Sequence, residues 1–227
     1  MKKEKVFRDT KNWYVNRSGY ASPELVDFAM RHAGNQVLDI GCATGEYIRR
    51  LKDHGFECIG VDANPDYAKE ANSKGNEAYY MDAKHLEFPD KSFDTALLFE
   101  VLEHIDDPSD VLEEAKRVSR KNVLITVPNC RGFDKLSPMG LTFEHMLEKD
   151  HVNFFTKNDL EGLLSEHFDK FQVIEAEPII IKADPDFISS RLLRKSIQFL
   201  MGLKLTGPKV RFGLGVYNRL YGVVDLI

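Results

Sequence analysis

VLDIGCATGEYIRRL, from Val37 to Leu51, decides how the rest of the chain reads: an apolar run, a turn with glycine at both ends, then Tyr47, Ile48 and Leu51 at helical spacing. The apolar run predicts a short strand, the periodic residues predict one face of a helix, and Gly55 predicts where that helix stops. In the turn, Gly41-Cys42-Ala43-Thr44-Gly45, the glycines let the backbone bend sharply and approach a ligand with no side chain between them. A dinucleotide fingerprint, G-x-G-x-x-G, would seat a pyrophosphate on the helix N-terminus. This turn lacks the second glycine, where Ala43 stands, and the third, and it carries Asp39 just before it and Glu46 just after. Carboxylates at those places repel a pyrophosphate and suit a cationic ligand.

The same alternation extends outward on both sides. Upstream, SPELVDFAMRHA spaces Leu25, Val26, Phe28 and Ala29 along one helical face, with Ser22 as the expected N-cap and Pro23 at the first helical position. Downstream come ECIGVD as a strand, NPDYAKEANSKG as a helix capped by Asn64, and EAYYMD as a strand. FDTALLFE is nearly all apolar, as expected of a strand covered on both faces. DPSDVLEEAKRVS then reads as a helix and NVLITVPN as a fifth strand. Strands alternating with helices of about 10–15 residues require crossover connections, so the fold class is α/β, a doubly wound, mostly parallel sheet with helices on both faces.

The rhythm changes after the fifth strand. Cys130 to Asp150 is too long for an ordinary connection, and loops of that length are usually lids or binding loops. TKNDLEGLLSEH restores a helix with Thr156 as cap, and FQVIEAEPIII is a sixth strand. FISSRLLRKSIQFLMGL has helical spacing, and NRLYGVVDLI reads as a last, antiparallel strand, with a short helix as the other reading.

Composition sets the class. With 227 residues, 43% apolar and 30% charged, the chain is long enough for one globular unit with a large buried core. A net charge of -5 leaves no basic footprint for nucleic acid. Seven Lys or Arg between Phe187 and Tyr221, with no acid among them, stand apart from that acidic background. Three cysteines without paired spacing argue against a disulfide framework or zinc and fit a reducing, cytoplasmic setting. MKKEKVFRDTKNWY has no apolar stretch behind its basic start, so no signal peptide is expected, and no run of 18 apolar residues predicts a membrane span.

Taken together, VLDIGCATG, GVD, MDA and FDTALLFEVLEHIDDP resemble the class I S-adenosylmethionine-dependent methyltransferases. The resemblance is dense from Val37 to Asn129, looser through HVNFFTKNDLEGLL, and strongest toward the small-molecule branch that includes ubiquinone-biosynthesis methyltransferases. It implies a Rossmann-like sheet and S-adenosylmethionine as cofactor. It places Gly41, Cys42, Ala43 and Gly45 around the methionyl part, with Asp39 near its ammonium group. Asp62 corresponds to the acid that accepts both ribose hydroxyls, flanked by Ala63 and Asn64. Asp82 corresponds to the acceptor for the adenine amino group, with the Ala83 N–H beside it, and Phe99 and Glu100 fall next to the sulfonium. Such enzymes often close the site with an N-terminal segment, which makes Tyr14 and Arg17 candidate lid contacts; a surface strap packed by Trp13 is the other reading.

The implied organisation is a single methyltransferase domain over residues 1–227. It divides into a cap segment and first helix at 12–34, a cofactor-binding core at 36–129, a substrate-side loop at 130–155 and a basic, partly helical insertion at 184–221. Candidate general bases are His104, His145 and His151, although in-line transfer can proceed by positioning alone and His151 can equally anchor the following helix. FEVLEHI lacks the Asn/Asp-Pro-Pro-aromatic motif that grips a planar nitrogen, and no Asp and Asn set for magnesium is evident, so no metal is expected. The expected acceptor is an oxygen or carbon of a small molecule. The alternative is a non-catalytic module that lies on anionic membranes or a partner through its basic C-terminal segment.

Overall fold

The computed structural model describes residues 20–131, 150–183 and 210–227. Tyr14, Arg17 and His145, and the whole of the expected helix in the basic segment, lie outside the described residues.

Seven strands form one sheet: β1 (Gln36–Ile40), β2 (Glu57–Asp62), β3 (Ala78–Tyr80), β4 (Phe93–Phe99), β5 (Ser119–Pro128), β6 (Phe171–Ala183) and β7 (Val210–Asp225). Their order is β3-β2-β1-β4-β5-β7-β6. The first five are parallel, and β7 runs antiparallel to both β5 and β6. The last strand is thus antiparallel as the sequence suggests, but it begins well before NRLYGVVDLI. Chain order reverses between β1 and β4, and in an open α/β sheet ligands sit outside the carboxyl ends of the strands at such a switch point.

Period-two alternation supplies a core on each face. Leu38, Ile40, Ala96 and Leu98 face Leu112 of α4 (Ser109–Val118) and Leu160 and Leu164 of α5 (Lys157–His167). Val37, Leu97 and Phe99 face Leu25 and Phe28 of α1 (Pro23–His32) and Ile48 and Leu51 of α2 (Glu46–Asp53). All seven residues of β4 are buried, which is why FDTALLF shows no polar face.

The helix ends follow local chemistry. Gly55, at φ +90°, closes α2: its N–H reaches Lys52 O at 3.0 Å and the Phe56 N–H reaches Leu51 O at 3.1 Å, the paired bonds of a glycine C-terminal stop. Thr156 and Asp159 cap α5 reciprocally. Ser22 precedes α1 as expected, but its hydroxyl donates to Glu24 Oε2 at 2.8 Å and does not cap the backbone. No helix among the described residues is long and apolar enough to cross a membrane.

Candidate active site

The turn after β1 is held by the neighbouring strand. The N–H groups of Gly41 and Cys42 both donate to Val61 O, at 2.8 and 3.0 Å, which folds the turn over the end of β2. Gly41, Ala43 and Gly45 have φ of +78°, +44° and +80°. A side chain at Gly41 would put its Cβ 2.6 Å from Val101 Cγ2, so glycine is required there by conformation and by space. Ala43 tolerates the left-handed region at a cost of about 1–2 kcal/mol. That conformation delivers its N–H to Asp62 Oδ2 at 2.8 Å, a charge-assisted bond of a size that offsets the cost.

Three acids stand at three successive strand ends. Asp39 in β1 is only 2% exposed. Burial, then the charge of Asp62, pushes its carboxyl up to about 7, and its Oδ2 has no hydrogen-bond partner among the described residues. Asp62 ends β2; burial raises its pKa while the Asn64 and Ala43 N–H groups pull it down. Asn64 N–H reaches Oδ1 at 2.8 Å, so each carboxylate oxygen already holds one backbone donor and keeps a lone pair for another. The Asn64 side chain itself caps α3 (Pro65–Ser73) by accepting from Asp66 N–H at 3.0 Å. Asp82 lies beyond β3, exposed, accepting from Lys84 N–H at 2.9 Å, and the Met81 N–H bonds Asp62 O at 3.0 Å, which ties the two strand ends together. Ala63 is exposed and Ala83 half-buried beside them.

Past β4 the chain changes character. The Phe99 side chain is buried in an aromatic cluster, 6.0 Å from the Phe28 ring and 5.5 Å from that of Tyr47. Glu100, at φ +56°, accepts from Thr126 Oγ1 at 3.0 Å and faces Arg219 Nε at 3.2 Å. Arg219 also donates to Glu177, which accepts as well from Asn218 Nδ2 at 3.0 Å and Tyr221 Oη at 2.7 Å. A short 3-10 turn, Leu102–His104, follows, and there the rings of His104 and His151 meet edge to face at 4.7 Å.

A family model described as a methyltransferase domain matches residues 16–173. The chain is a class I S-adenosylmethionine-dependent methyltransferase. An uncharacterised protein of Methanocaldococcus jannaschii is 30% identical across 79% of this chain and 85% of its own. A phosphatidylethanolamine N-methyltransferase of Cereibacter sphaeroides is 28% identical across 60% of this chain and 72% of its own. The fold matches the crystal structure of an Archaeoglobus fulgidus S-adenosylmethionine-dependent methyltransferase with a TM-score of 0.64 and 22% identity, covering 94% of this chain and 99% of the other.

In this methyltransferase the residues at the first three strand ends fit the cofactor. A buried carboxylate oxygen with no partner, at Asp39, suits a cationic group, and the half-buried Asp62 offers two oxygens at the rim of the turn. Glu46 is a different matter: Arg49 at 3.2 Å and Lys74 at 3.4 Å neutralise it, so Asp39 and Asp62 carry the negative charge at the turn. Cys42 is buried with its thiol pKa pushed far up by burial, which leaves its backbone as the useful part.

Two groups escaped the sequence reading. Arg219 counts there among the residues of a basic, partly helical insertion, whereas in the fold it sits on β7 against two carboxylates. Alternation in NRLYGVVD, which puts Arg219 on the face of the buried Tyr221, is the signal that could have found it. Glu103, 1% exposed, adjoins His104 and comes together with His151 only through the fold.

Proposed function

We propose that this methyltransferase moves the methyl group of S-adenosylmethionine to an oxygen or carbon of a small acceptor that enters over the ends of β4 and β5 and the adjoining middle of β7. The bound cofactor supplies an electrophilic methyl group on a sulfonium. Asp39 would face its ammonium group, Asp62 its ribose hydroxyls, and Asp82 with the Ala83 N–H its adenine edge. The observation that carries the donor half is the buried Asp39 oxygen without a partner, beside a second carboxylate at the neighbouring strand end. A pair of carboxylates in that position is costly alone and becomes favourable against a cation.

On the acceptor side, the sequence at the end of β4 lacks the motif that clamps a planar nitrogen, and the polar groups there among the described residues include Glu100, Arg219 and the two histidines. Transfer then depends on holding acceptor and methyl group in line and dry, which by itself is worth several kcal/mol. Two measurements test the reading. Calorimetric titration with S-adenosylhomocysteine should show one site per chain, and Asp62→Ala should weaken it by about 1–3 kcal/mol, the usual loss for a charge-assisted bond. Methyl transfer from labelled cofactor should favour hydroxyl or carbon acceptors over amines. The related phosphatidylethanolamine enzyme is named for an amine acceptor, and a clear preference for amines here would overturn the acceptor class.

A further inference from the structure

Tyr47 is the second residue of α2, directly behind the turn that ends at Gly45. Its ring meets that of Phe99 edge to face at 5.5 Å, which carries the phenol across from the end of β1 to the end of β4. There the hydroxyl oxygen accepts the Ser22 N–H at 3.3 Å. Ser22 is 4% exposed and precedes the first turn of α1, so the start of that helix fixes the oxygen in place. One lone pair is thereby used, while the hydroxyl proton has no acceptor among the described residues. Burial keeps that proton on the phenol well above the usual tyrosine range, against the pull of the Ser22 N–H; Glu100 and Asp39 add to the effect and Arg219 opposes it. The hydroxyl therefore stands as a neutral donor in the fields of Asp39 on one side and of Glu100 and Arg219 on the other.

S-adenosylmethionine carries a carboxylate on the same carbon as its ammonium group, so a site that seats the ammonium against Asp39 must also receive the carboxylate close by. Asp39 and Asp62 repel it. The group that receives it has to be a donor near Asp39 that is not already spent on an acid. Arg219 is largely spent: its Nε faces Glu100 at 3.2 Å and its Nη1 donates to Glu177, two carboxylates for one guanidinium. Ser22 gives its N–H to Tyr47 and its hydroxyl to Glu24. The Tyr47 hydroxyl is fixed, neutral and unspent, and a neutral donor can bind an anion without adding a charge that Asp39 would have to share.

We propose that the Tyr47 hydroxyl donates to the methionyl carboxylate of the methyl donor and so fixes which way the amino-acid end of the cofactor lies. This deepens the function proposed above and rests on its placement of the ammonium group at Asp39. The two residues divide the amino-acid group between them: the acid takes the cation, and the phenol takes the anion. A hydrogen bond to a charged group is the stronger kind, and here burial of the phenol keeps water from competing for it.

The test is calorimetry on the full chain with two ligands: S-adenosylhomocysteine and its decarboxylated analogue, which keeps adenosine, thioether and ammonium group and lacks only the carboxylate. The unaltered chain should prefer S-adenosylhomocysteine by at least about tenfold, the size of one hydrogen bond to a charged group. Tyr47→Phe keeps the ring on Phe99 and removes only the hydroxyl. In that variant, affinity for S-adenosylhomocysteine should fall by at least about tenfold while affinity for the analogue holds within about twofold. A loss shared equally by both ligands would make Tyr47 a support of the turn and overturn the assignment. Undiminished affinity for S-adenosylhomocysteine in the variant would overturn it as well, and so would equal affinity for the two ligands in the unaltered chain. That last comparison needs no variant, so it decides the matter even if Tyr47→Phe fails to fold. An unaltered chain that binds neither ligand would strike the donor-site reading instead.

Discussion

The proposed donor half of the site, at the ends of β1, β2 and β3, and the proposed acceptor half, at the ends of β4 and β5 and the middle of β7, are built on opposite principles. The donor half draws every group from one continuous stretch, Asp39 to Ala83, in which an acid stands at or next to the end of each strand and backbone N–H groups already engage Asp62 and Asp82. The acceptor half joins Glu100, Glu103 and His104 to His151, Glu177 and Arg219, which come from four separate parts of the chain. The first is a local device repeated three times. The second exists only once β7 has been inserted between β5 and β6.

The difference predicts where charge is stored and what its removal does. Burial pushes the Asp39 carboxyl up to about 7, above the 3.8 of an unperturbed carboxyl, so the folded state holds the proton more tightly than the unfolded state. That penalty is absent below about pH 4, grows as pH rises toward 7, and is constant above it, reaching at most about 4 kcal/mol from roughly three units at 1.36 kcal/mol each. Asp39→Asn should therefore raise the unfolding free energy of the ligand-free protein at pH 8, with a much smaller gain at pH 5, while weakening S-adenosylhomocysteine. Chemical denaturation at the two pH values checks the sign. A destabilised variant at pH 8 would mean that Asp39 is satisfied in the free protein. In the unaltered chain, affinity for S-adenosylhomocysteine should rise from pH 6 to pH 8, because Asp39 must ionise to meet the ammonium group.

On the acceptor side the sign reverses. Arg219 is largely buried and compensates both Glu100 and Glu177, and the pair of acids holds its guanidinium more firmly protonated than usual. Arg219→Ala should cost about 3 kcal/mol of stability, as expected when one partner of a buried ion pair is removed, with little change in S-adenosylhomocysteine affinity. An equal loss of affinity would show the two halves to be one coupled unit.

The smallest effect belongs to Ala43. Glycine there would relieve the left-handed strain but add freedom to the unfolded chain, and those two terms are similar in size. Ala43→Gly should change stability by less than about 0.5 kcal/mol and leave the N–H bond to Asp62 in place, so cofactor affinity should hold. A large loss would mean that the methyl group has a contact role in the bound state.

The same contrast explains how much could be read from the chain beforehand. Strands, helices and the three acids follow local patterns, so Asp39, Asp62 and Asp82 fall where the alternation of elements puts them. Gly55 and Thr156 act as their local signals predict. Ser22 and Glu46 do not, because a nearer partner, Glu24 for the hydroxyl and Arg49 with Lys74 for the carboxylate, competes for each side chain. Arg219 and Glu103 were hidden for another reason. A charge in a basic segment and an acid beside a histidine look solvent-facing until strand pairing Pro128 with Arg219, and the bonds from Val152 and Asn153 to Glu103, bring distant segments together.

The central claim, that the strand ends from Asp39 to Ala83 seat the methyl donor, is tested most directly by a crystal structure with S-adenosylhomocysteine. The ribose hydroxyls should lie within hydrogen-bonding distance of the Asp62 carboxylate, and the ammonium group on the side of the turn where Asp39 Oδ2 lies without a partner among the described residues. A ligand bound with its ribose away from Asp62, or with its carboxylate turned toward Asp39, would contradict it.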